Sequence, residues 1–381
     1  MHIKLNIDKK DTQIFKGIAI LMITMHNLIH KLPNMPIENE FKFHSYGSDI
    51  FFSTLFFKSP VSFIFSFLGY YGVQVFIFLS AYAFYLKKDE IMDMSYFSFI
   101  KKRYIRILYP FILSMIVVSF LEVLYNILFF SYPSVIIFHS FLGVYVGGFL
   151  QLTSLYPFLP AGLPGGPGPW WFISFILQAY FIFPVLFKIK FNNTYHFVIS
   201  FVLSYVFVFI INLYLPEVKV YYTVIGHLPE ILLGVYFAGH LQTKSIKVNK
   251  MIFIMFGSLF LLFISNIDEN MWFFSFVWAT VFFVSLFLLS GTLMTEGVKD
   301  IFFFIGGISI YIFLLNGVTR NYFIYFINNY SDNILTYWFI ILLYLFVTGY
   351  MSYLLMKFER QMLENKIIIK NIFSGINRIG R

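Results

Sequence analysis

The sequence predicts an all-α fold, a polytopic transmembrane helical bundle of about ten spanning helices with both termini in the cytoplasm. Hydrophobic residues make up 59% of the 381 residues and charged residues only 12%, whereas a soluble domain carries about 25% charged residues. So few charges cannot cover a water-soluble surface. The aromatic content of 23% also suits helices packed in lipid, with Tyr and Trp at the two interfaces.

Ten stretches have the length and hydropathy of a spanning helix, which needs roughly 20 mostly apolar residues. These stretches are 13–32, 66–86, 108–130, 170–187, 195–214, 221–240, 250–267, 271–294, 301–318 and 335–356. Two further apolar stretches, 51–65 and 134–150, are ambiguous. The second is rich in glycine and precedes a Pro/Gly run at 162–169, so we interpret it as a half-inserted or interfacial segment.

The distribution of basic residues sets the orientation, because Lys and Arg concentrate in cytoplasmic loops. With the N-terminus inside, 21 of the 27 Lys and Arg residues lie in cytoplasmic segments and 5 lie outside, while Lys16 falls within the first span. Both ends are then cytoplasmic and the number of spans is even. The net charge of +9 is best explained by loops that face anionic lipid, and we predict no nucleic-acid partner.

The chain shows no internal repeat and no soluble domain. Residues 1–358 are predicted to form one transmembrane domain, and residues 359–381, which mix apolar and basic side chains, a basic amphipathic cytoplasmic tail. No cleavable signal peptide is evident. There is no cysteine, and no phosphate loop, dinucleotide fingerprint or zinc spacing. We therefore expect no metal site, and the sequence argues against an ATP-driven pump or a metalloprotease.

Polar residues inside predicted spans are costly and are therefore candidates for function. His26 lies near the middle of the first span, with Asn27 next to it and His30 four residues later on the same helical face. A neutral imidazole can take a proton from a hydroxyl group. The alternative is a histidine that only hydrogen-bonds to a neighbouring helix.

Arg103 and Arg106 share one helical face at the cytoplasmic mouth of the third span. Arginine presents planar paired donors that suit a phosphate group. An ordinary basic flank of a spanning helix would explain the same two residues.

The third and sixth spans carry further buried polar residues. Glu122, in the third span, is a candidate proton carrier, acceptor-binding carboxylate or interhelical partner. His227 and Glu230 flank Pro229, which is expected to free a backbone carbonyl and to kink the sixth span. A functional and a structural interpretation are both open for each of them.

Two more features lie near the ends of spans. Trp170 and Trp171 follow the Pro/Gly run and are most simply interfacial anchors, although tryptophan also stacks on sugar rings. Asn316 is predicted at the outer end of the ninth span, near Arg320. It is a candidate for a hydrogen bond to another helix or to a ligand.

Together these stretches resemble the acyltransferase 3 family of bacterial integral membrane acyltransferases, over most of the chain and in the family's order. The motifs that carry the resemblance run from Phe15 to His26, from Gly72 to Ser80, from Arg103 to Pro110, from Trp171 to Ser174 and from Leu228 to Gly234. Two positions and one spacing depart from the usual pattern. Lys16 replaces an arginine, nine residues instead of ten separate it from His26, and Asn316 stands where many relatives have a histidine.

The resemblance implies transfer of an acyl group, usually acetyl, from cytoplasmic acyl-coenzyme A (acetyl-CoA) to a hydroxyl of a cell-surface polysaccharide or a lipid-linked glycan precursor. It also implies a multi-pass protein of the bacterial inner (plasma) membrane. By the same resemblance, His26 would be the base or the acyl relay, and the donor would be bound by Lys16, Arg103 and Arg106. Candidates for acceptor binding or support are Asn27, His30, Glu122, Trp171, His227, Glu230 and Asn316.

Two other classes of protein remain open at this stage. One is a transporter or flippase for glycans or lipid-linked sugars, and the other is a non-catalytic subunit of a polysaccharide assembly complex. A transporter predicts one continuous polar path and often internal repeats. Here the polar residues concentrate in the first, third and sixth spans, which favours the enzyme. The sequence makes no prediction of oligomeric state.

Overall fold

A computed structural model describes residues 2–32, 40–41, 43–44, 60–129, 134–159, 168–188, 194–215, 217–330 and 333–379. For residues 134–137, 139 and 366–379 it describes the backbone alone. Most of the ambiguous stretch 51–65 and of the Pro/Gly run at 162–169 therefore lies outside the described residues.

Helices dominate the described chain, which confirms the predicted all-α class. The α-helices are α1 Lys9–Ile29, α2 Pro60–Leu68, α3 Gly72–Tyr85, α4 Lys88–Met92, α5 Tyr96–Phe129, α6 Ser134–Leu152, α7 Trp171–Leu186, α8 Thr194–Tyr214, α9 Leu228–Tyr236, α10 Val248–Ser265, α11 Glu269–Trp272, α12 Ser275–Gly291, α13 Glu296–Gly307, α14 Ser309–Tyr330 and α15 Ile334–Ile379. Short 3₁₀ turns lie at Gly69–Tyr71, Tyr156–Phe158, Gly168–Trp170, Val220–Tyr222 and Ile225–His227, and a π-helical turn lies at Phe237–Leu241.

Eight helical segments of the described chain are long and apolar enough to cross a membrane. They are Lys9–Ile29, Pro60–Tyr85, Tyr96–Phe129, Gly168–Leu186, Thr194–Tyr214, Val248–Ser265, Ser309–Tyr330 and Ile334–Asn365. The predicted span 271–294 corresponds to the 17-residue α12, and the predicted span 221–240 to two 3₁₀ turns, α9 and the π-helical turn. The protein is therefore a multi-pass membrane protein close to the predicted count.

The ninth predicted span, 301–318, is wrong in its placement. The helix breaks at Ile308, and the spanning helix is α14, which begins at Ser309. The hydropathy pattern runs across this break, because the residues on both sides of it are apolar. As a consequence Asn316 lies well inside α14 and not at the outer end of a span.

The contact between α1 and α13 is unusually close. A Cβ atom on Gly17 would lie 2.0 Å from the backbone oxygen of Phe302, and one on Gly306 would lie 1.9 Å from that of Gln13. Glycine at both positions lets the two backbones touch, which is how helices commonly pack in lipid. Because Gln13 meets α13 and Asn27 meets α14, α1 runs parallel to both helices.

The segment predicted as half-inserted is helix α6. Tyr104 donates a hydrogen bond to the backbone oxygen of Leu152 at 3.5 Å, and the hydroxyls of Ser119 and Tyr145 lie 3.2 Å apart. The helix therefore runs antiparallel to α5. The next helix, α7, runs parallel to α6. Ser174 donates a hydrogen bond to the backbone oxygen of Gln151, and Gln178, one turn later, donates to that of Ser154. Two consecutive helices with one direction fit a half-inserted segment, which stays a prediction because residues 160–167 lie outside the described part.

A two-stranded ribbon was not expected from the sequence. His2–Lys4 (β1) pairs antiparallel with Ser245–Lys247 (β2). Next to it, Lys10 of α1 contacts Glu296 at 3.1 Å and Asp300 at 3.6 Å. These contacts place the N-terminus and two predicted cytoplasmic loops on one side of the bundle, in agreement with the orientation from the basic residues.

The last helix, α15, runs without interruption from Ile334 to Ile379. The predicted boundary between the transmembrane domain and a tail at residues 358 and 359 therefore falls inside one helix, and it stays a prediction. Close to that boundary, the hydroxyl of Tyr311 donates a hydrogen bond to the carboxylate of Glu359. This bond joins α14 to α15 near the cytoplasmic side.

We predict that Gly306→Ala lowers the stability of the protein, because the new methyl group would overlap the backbone of α1 and force the helices apart. The expected loss is about 1–3 kcal/mol, measured as a lower thermal unfolding temperature of the purified protein in detergent. Gly257→Ala on α10 is the matched control, since its Cβ would meet nothing within 4 Å. Equal effects of the two changes would contradict the close contact.

Candidate active site

His26 is buried in the bundle, and its environment selects one tautomer. The ring nitrogen Nδ1 lies 2.9 Å from the backbone oxygen of Ser66. A carbonyl oxygen can only accept, so Nδ1 carries the proton and donates it. The lone pair is then on Nε2. The chain before α3 comes close enough for this bond because Gly69 has no side chain, and a Cβ there would lie 2.6 Å from that of His26.

A small cavity of about 20 Å³ lies next to His26. This volume is large enough for about one water molecule. The residues that line it come from several helices and loops: Ile23, His26, Asn27, Glu40, Tyr70, Val73, Pro169, Trp171 and Phe313. The cavity therefore brings together residues with an imidazole, an amide and a carboxylate group.

The two histidines of α1 stack on each other, as their spacing predicts. Their ring centroids are 4.4 Å apart and the planes differ by 6°. His30 also donates from Nδ1 to the backbone oxygen of His26 at 2.6 Å.

Asn27 and Asn316 join the first and last parts of the chain. Nδ2 of Asn27 donates to Oδ1 of Asn316 at 2.7 Å, and Asn316 in turn donates to two backbone oxygens of its own helix. Arg320, one turn later on α14, donates to the backbone oxygen of Asn27 at 3.3 Å. The amide of Asn316 therefore supports the residue next to His26, which the predicted position at a span end did not suggest.

Glu122 faces this region from α5. Its carboxylate is attracted by Arg320, and Oε2 has no hydrogen-bond partner among the described residues. The two opposite charges thus lie on neighbouring helices, beyond His26 in the outward direction along α1. The structure places Glu122 near the candidate site but not in the cavity.

The interpretation of the tryptophan pair as interfacial anchors is wrong, because both side chains are buried. Trp170 donates from its indole nitrogen to the backbone oxygen of Leu314 at 3.0 Å. Trp171 forms a wall of the cavity and lies 6.2 Å from the ring of His227 in a stacked orientation. The fold of α14 and α9 around them, which the local sequence does not reveal, takes them out of the interface.

His227 and Glu230 form a buried pair behind Trp171. Nε2 of His227 donates to the backbone oxygen of Tyr221 at 3.0 Å, and Nδ1 lies 3.5 Å from Oε1 of Glu230. Both side chains are at most 1% exposed. The two contacts hold the imidazole ring of His227 between the 3₁₀ turn at Val220–Tyr222 and α9.

The expected kink at Pro229 does not occur. Pro229 lies in the first turn of α9, directly after the 3₁₀ turn at Ile225–His227. The first backbone N–H groups of a helix have no partner within the helix, so a proline costs little there. Pro229 starts the helix at this point and does not bend it.

The three predicted donor-binding residues gather on the cytoplasmic side. Lys16 of α1 and Arg106 of α5 are close enough to repel each other electrostatically. Arg103 lies with its guanidinium 4.6 Å above the ring of Phe84, close to Tyr180. Its Nε has no hydrogen-bond partner among the described residues. Among the described residues none of these three cations forms an ion pair, which suits the binding of an anion.

Three residues of the site were not found from the sequence. Glu40 follows the first span in a loop with no periodic pattern. Tyr70 lies in a 3₁₀ turn, and its ring centroid is 5.3 Å from that of His26. In the sequence, nothing distinguishes it from the many other aromatic residues. Arg320 was counted as a loop charge because the ninth span was placed too early. Only a correct boundary of α14 would have revealed Arg320.

The fold and the site define a class, the multi-pass membrane proteins with a buried histidine beside a small cavity. Residues 10–357 match the family described as an acyltransferase domain, acyltransferase 3. The chain belongs to this family and is a membrane acyltransferase, which confirms the resemblance seen in the motifs. No match was found among curated proteins or among solved structures.

We predict that Asn27 and Asn316 stabilise the protein as a pair. Asn27→Ala and Asn316→Ala should each destabilise it, and the double variant should lose less than the sum. The expected coupling is about 1 kcal/mol, typical of side-chain hydrogen bonds between membrane helices. Thermal unfolding of the three variants measures it, and strict additivity would show that the bond contributes nothing.

Proposed function

We propose that the protein is an O-acyltransferase that moves an acyl group, most simply acetyl, from acyl-coenzyme A to a hydroxyl of a cell-surface polysaccharide or a lipid-linked glycan precursor. The observation that carries the proposal is His26, whose bond to Ser66 leaves the lone pair of Nε2 as the basic site of a ring that lines a small cavity. The family supplies the general reaction. The bacterial plasma membrane, where such acceptors are made, is part of the proposal.

His26 can act in two ways. As a base, Nε2 takes the proton of the acceptor hydroxyl while the hydroxyl oxygen attacks the thioester carbon. The carbon–sulfur bond then breaks, and the imidazolium returns the proton to the departing thiolate. As a relay, Nε2 attacks the thioester carbon, and the carbon–sulfur bond breaks to release the thiolate. The hydroxyl oxygen then attacks the acyl group on the imidazole, the bond from Nε2 to the acyl carbon breaks, and the hydroxyl proton passes to the thiolate. Both routes need the same tautomer.

The distance between the cations and His26 supports coenzyme A as the donor. His26 lies ten positions after Lys16 on α1, which corresponds to about 15 Å along the helix. A donor held by its phosphates at Lys16, Arg103 and Arg106 needs a long arm to bring a thioester to His26. The pantetheine arm of coenzyme A is such a long arm between phosphate and thioester, whereas a compact acyl phosphate has none.

The outward side of the cavity is the proposed acceptor side. Trp171 offers a flat face for a sugar ring, and the His227 and Glu230 pair supports it from behind. Asn316 and Asn27 hold α1 and α14 together at the same level. In this proposal Glu122 and His30 complete the polar surroundings of the acceptor.

We predict that His26→Ala abolishes acyl transfer while the protein remains in the membrane. The loss should be about 100-fold or more, the usual contribution of a general base. Ester-linked acetate on the surface polysaccharide measures it, with the protein level checked. His196→Ala, a change of an exposed histidine, is the control and should have no effect.

Two results would contradict this role. Unchanged acetate in His26→Ala would exclude His26 as base or relay. Loss of the whole polysaccharide, with no selective loss of its acetate, would indicate transport or assembly.

We predict that Arg106→Ala raises the KM for acyl-coenzyme A about tenfold or more, the effect of losing one charge-assisted hydrogen bond. Lys102→Ala, at an exposed position on the same helix, should change it little. A thioester with a pantetheine arm but no phosphates should react equally with the parent protein and Arg106→Ala. An equal loss with that thioester would show that Arg106 does not bind phosphate.

A further inference from the structure

Tyr180 of α7 lies next to the two arginines of the predicted donor site. Its hydroxyl is close enough to the guanidinium groups of both Arg103 and Arg106 to interact with them electrostatically. Its ring packs near Phe84 and Phe99, and the distances between the ring centroids are 5.6 Å and 6.5 Å. Tyr180 therefore borders the same part of the bundle as the two cations.

The same two phenylalanine rings hold Arg103. Its guanidinium carbon lies 4.6 Å from the ring centroid of Phe84 and 5.5 Å from that of Phe99. Contact with ring faces keeps a guanidinium group in place without using its N–H groups, and Nε of Arg103 has no hydrogen-bond partner among the described residues. Arg103 and Tyr180 are thus packed on one pair of rings, and N–H groups of Arg103 are left for a ligand.

Gln178, the nearest polar side chain of α7, has a structural role instead. It uses both ends of its amide, because it donates to the backbone oxygen of Ser154 at 2.9 Å and accepts from the backbone N–H of Val224 at 3.0 Å. Side chains two residues apart point to nearly opposite sides of a helix. Tyr180 therefore faces away from these contacts and toward α3 and α5.

Two helices independently place Tyr180 at the depth of the predicted donor site. On α7, Tyr180 lies nine positions after Trp171, which lines the cavity, and this corresponds to about 14 Å along the helix. On α1, Lys16 lies ten positions before His26, or about 15 Å. Tyr180 and Lys16 are thus at similar distances from the cavity, on its cytoplasmic side.

We propose that Tyr180 is a further residue of the acyl-coenzyme A site, and that its hydroxyl donates a hydrogen bond to a phosphate group held by Arg103 and Arg106. The inference rests on the proposed acyl transfer from acyl-coenzyme A and adds an uncharged group to its phosphate site. Arg103 and Arg106 already repel each other electrostatically. A phenolic hydroxyl supplies one more O–H group for phosphate without adding a third positive charge beside them.

Tyr180→Phe is the variant that tests the proposal, because it removes the hydroxyl and keeps the ring beside Phe84. We expect the KM for acyl-coenzyme A to rise about tenfold or more, the effect of losing one hydrogen bond to a charged group, while kcat stays unchanged. A thioester with the pantetheine arm but no phosphates should react equally with the parent protein and with Tyr180→Phe.

Tyr104→Phe is the matched control. Tyr104 is next to Arg103 in the sequence, but its hydroxyl donates to the backbone oxygen of Leu152 on α6 at 3.5 Å. This variant should leave the KM values for both thioesters unchanged. An unchanged KM for acyl-coenzyme A in Tyr180→Phe, or an equal rise for the thioesters with and without phosphates, would overturn the proposal.

Binding of coenzyme A itself gives a readout that does not need catalysis. Isothermal titration calorimetry of the protein in detergent should give a Kd about tenfold higher for Tyr180→Phe than for the parent, and the same ratio when both also carry His26→Ala. Equal Kd values for the parent and Tyr180→Phe would overturn this inference alone. Absence of coenzyme A binding to the parent would contradict the proposed function as well, so the two failures are distinguishable.

Discussion

The direct contact between the backbones of α1 and α13 is the constraint on which the site depends. In a bilayer, apolar side chains gain little by leaving lipid, so helices associate through close packing and a few hydrogen bonds. Gly17 and Gly306 permit this packing. The contact sets the register of α1 against α14, and the register then places Asn27 opposite Asn316. With α1 in this position, His26 reaches the backbone of α2 and the cavity.

Hydrogen bonding inside the bundle both stabilises the site and prepares it for chemistry. Unpaired polar groups in hydrocarbon cost several kcal/mol each, so each buried histidine uses one ring nitrogen to reach a backbone oxygen. For His26 the partner is Ser66, and for His227 it is Tyr221. These bonds hold the rings and select the tautomers. The other nitrogen of each ring is then directed to a cavity or to a carboxylate.

The charges of the protein are arranged along the membrane normal. Lys16 and Arg106 repel each other on the cytoplasmic side, and an anionic donor would relieve this repulsion. On the outward side, Arg320 and Glu122 attract each other across two helices. Between them lies His26, beside a cavity with both polar and apolar walls. In the proposed reaction the donor and the acceptor therefore approach His26 from opposite sides of the membrane.

The sequence by itself determined the fold class, the orientation and several residues of the candidate site. Spans are readable because the thickness of the bilayer acts on about twenty consecutive residues, and orientation is readable because loop charges act locally. His26, Arg103 and Arg106 stood out as polar residues in or beside apolar helices, and the family match supports the motifs that contain them.

Only the tertiary structure decided how distant parts of the chain combine. The bond between Asn27 and Asn316 joins residues 289 positions apart, and no local pattern signals such a partner. The break at Ile308 lies within a continuous apolar run, so a hydropathy pattern does not reveal it. The predicted span therefore ends too early, and Arg320 falls in a predicted loop. Trp171 has the composition of an interfacial residue but is enclosed by helices that follow later in the chain. Packing between helices, which depends on shape and not on hydropathy, decided all three.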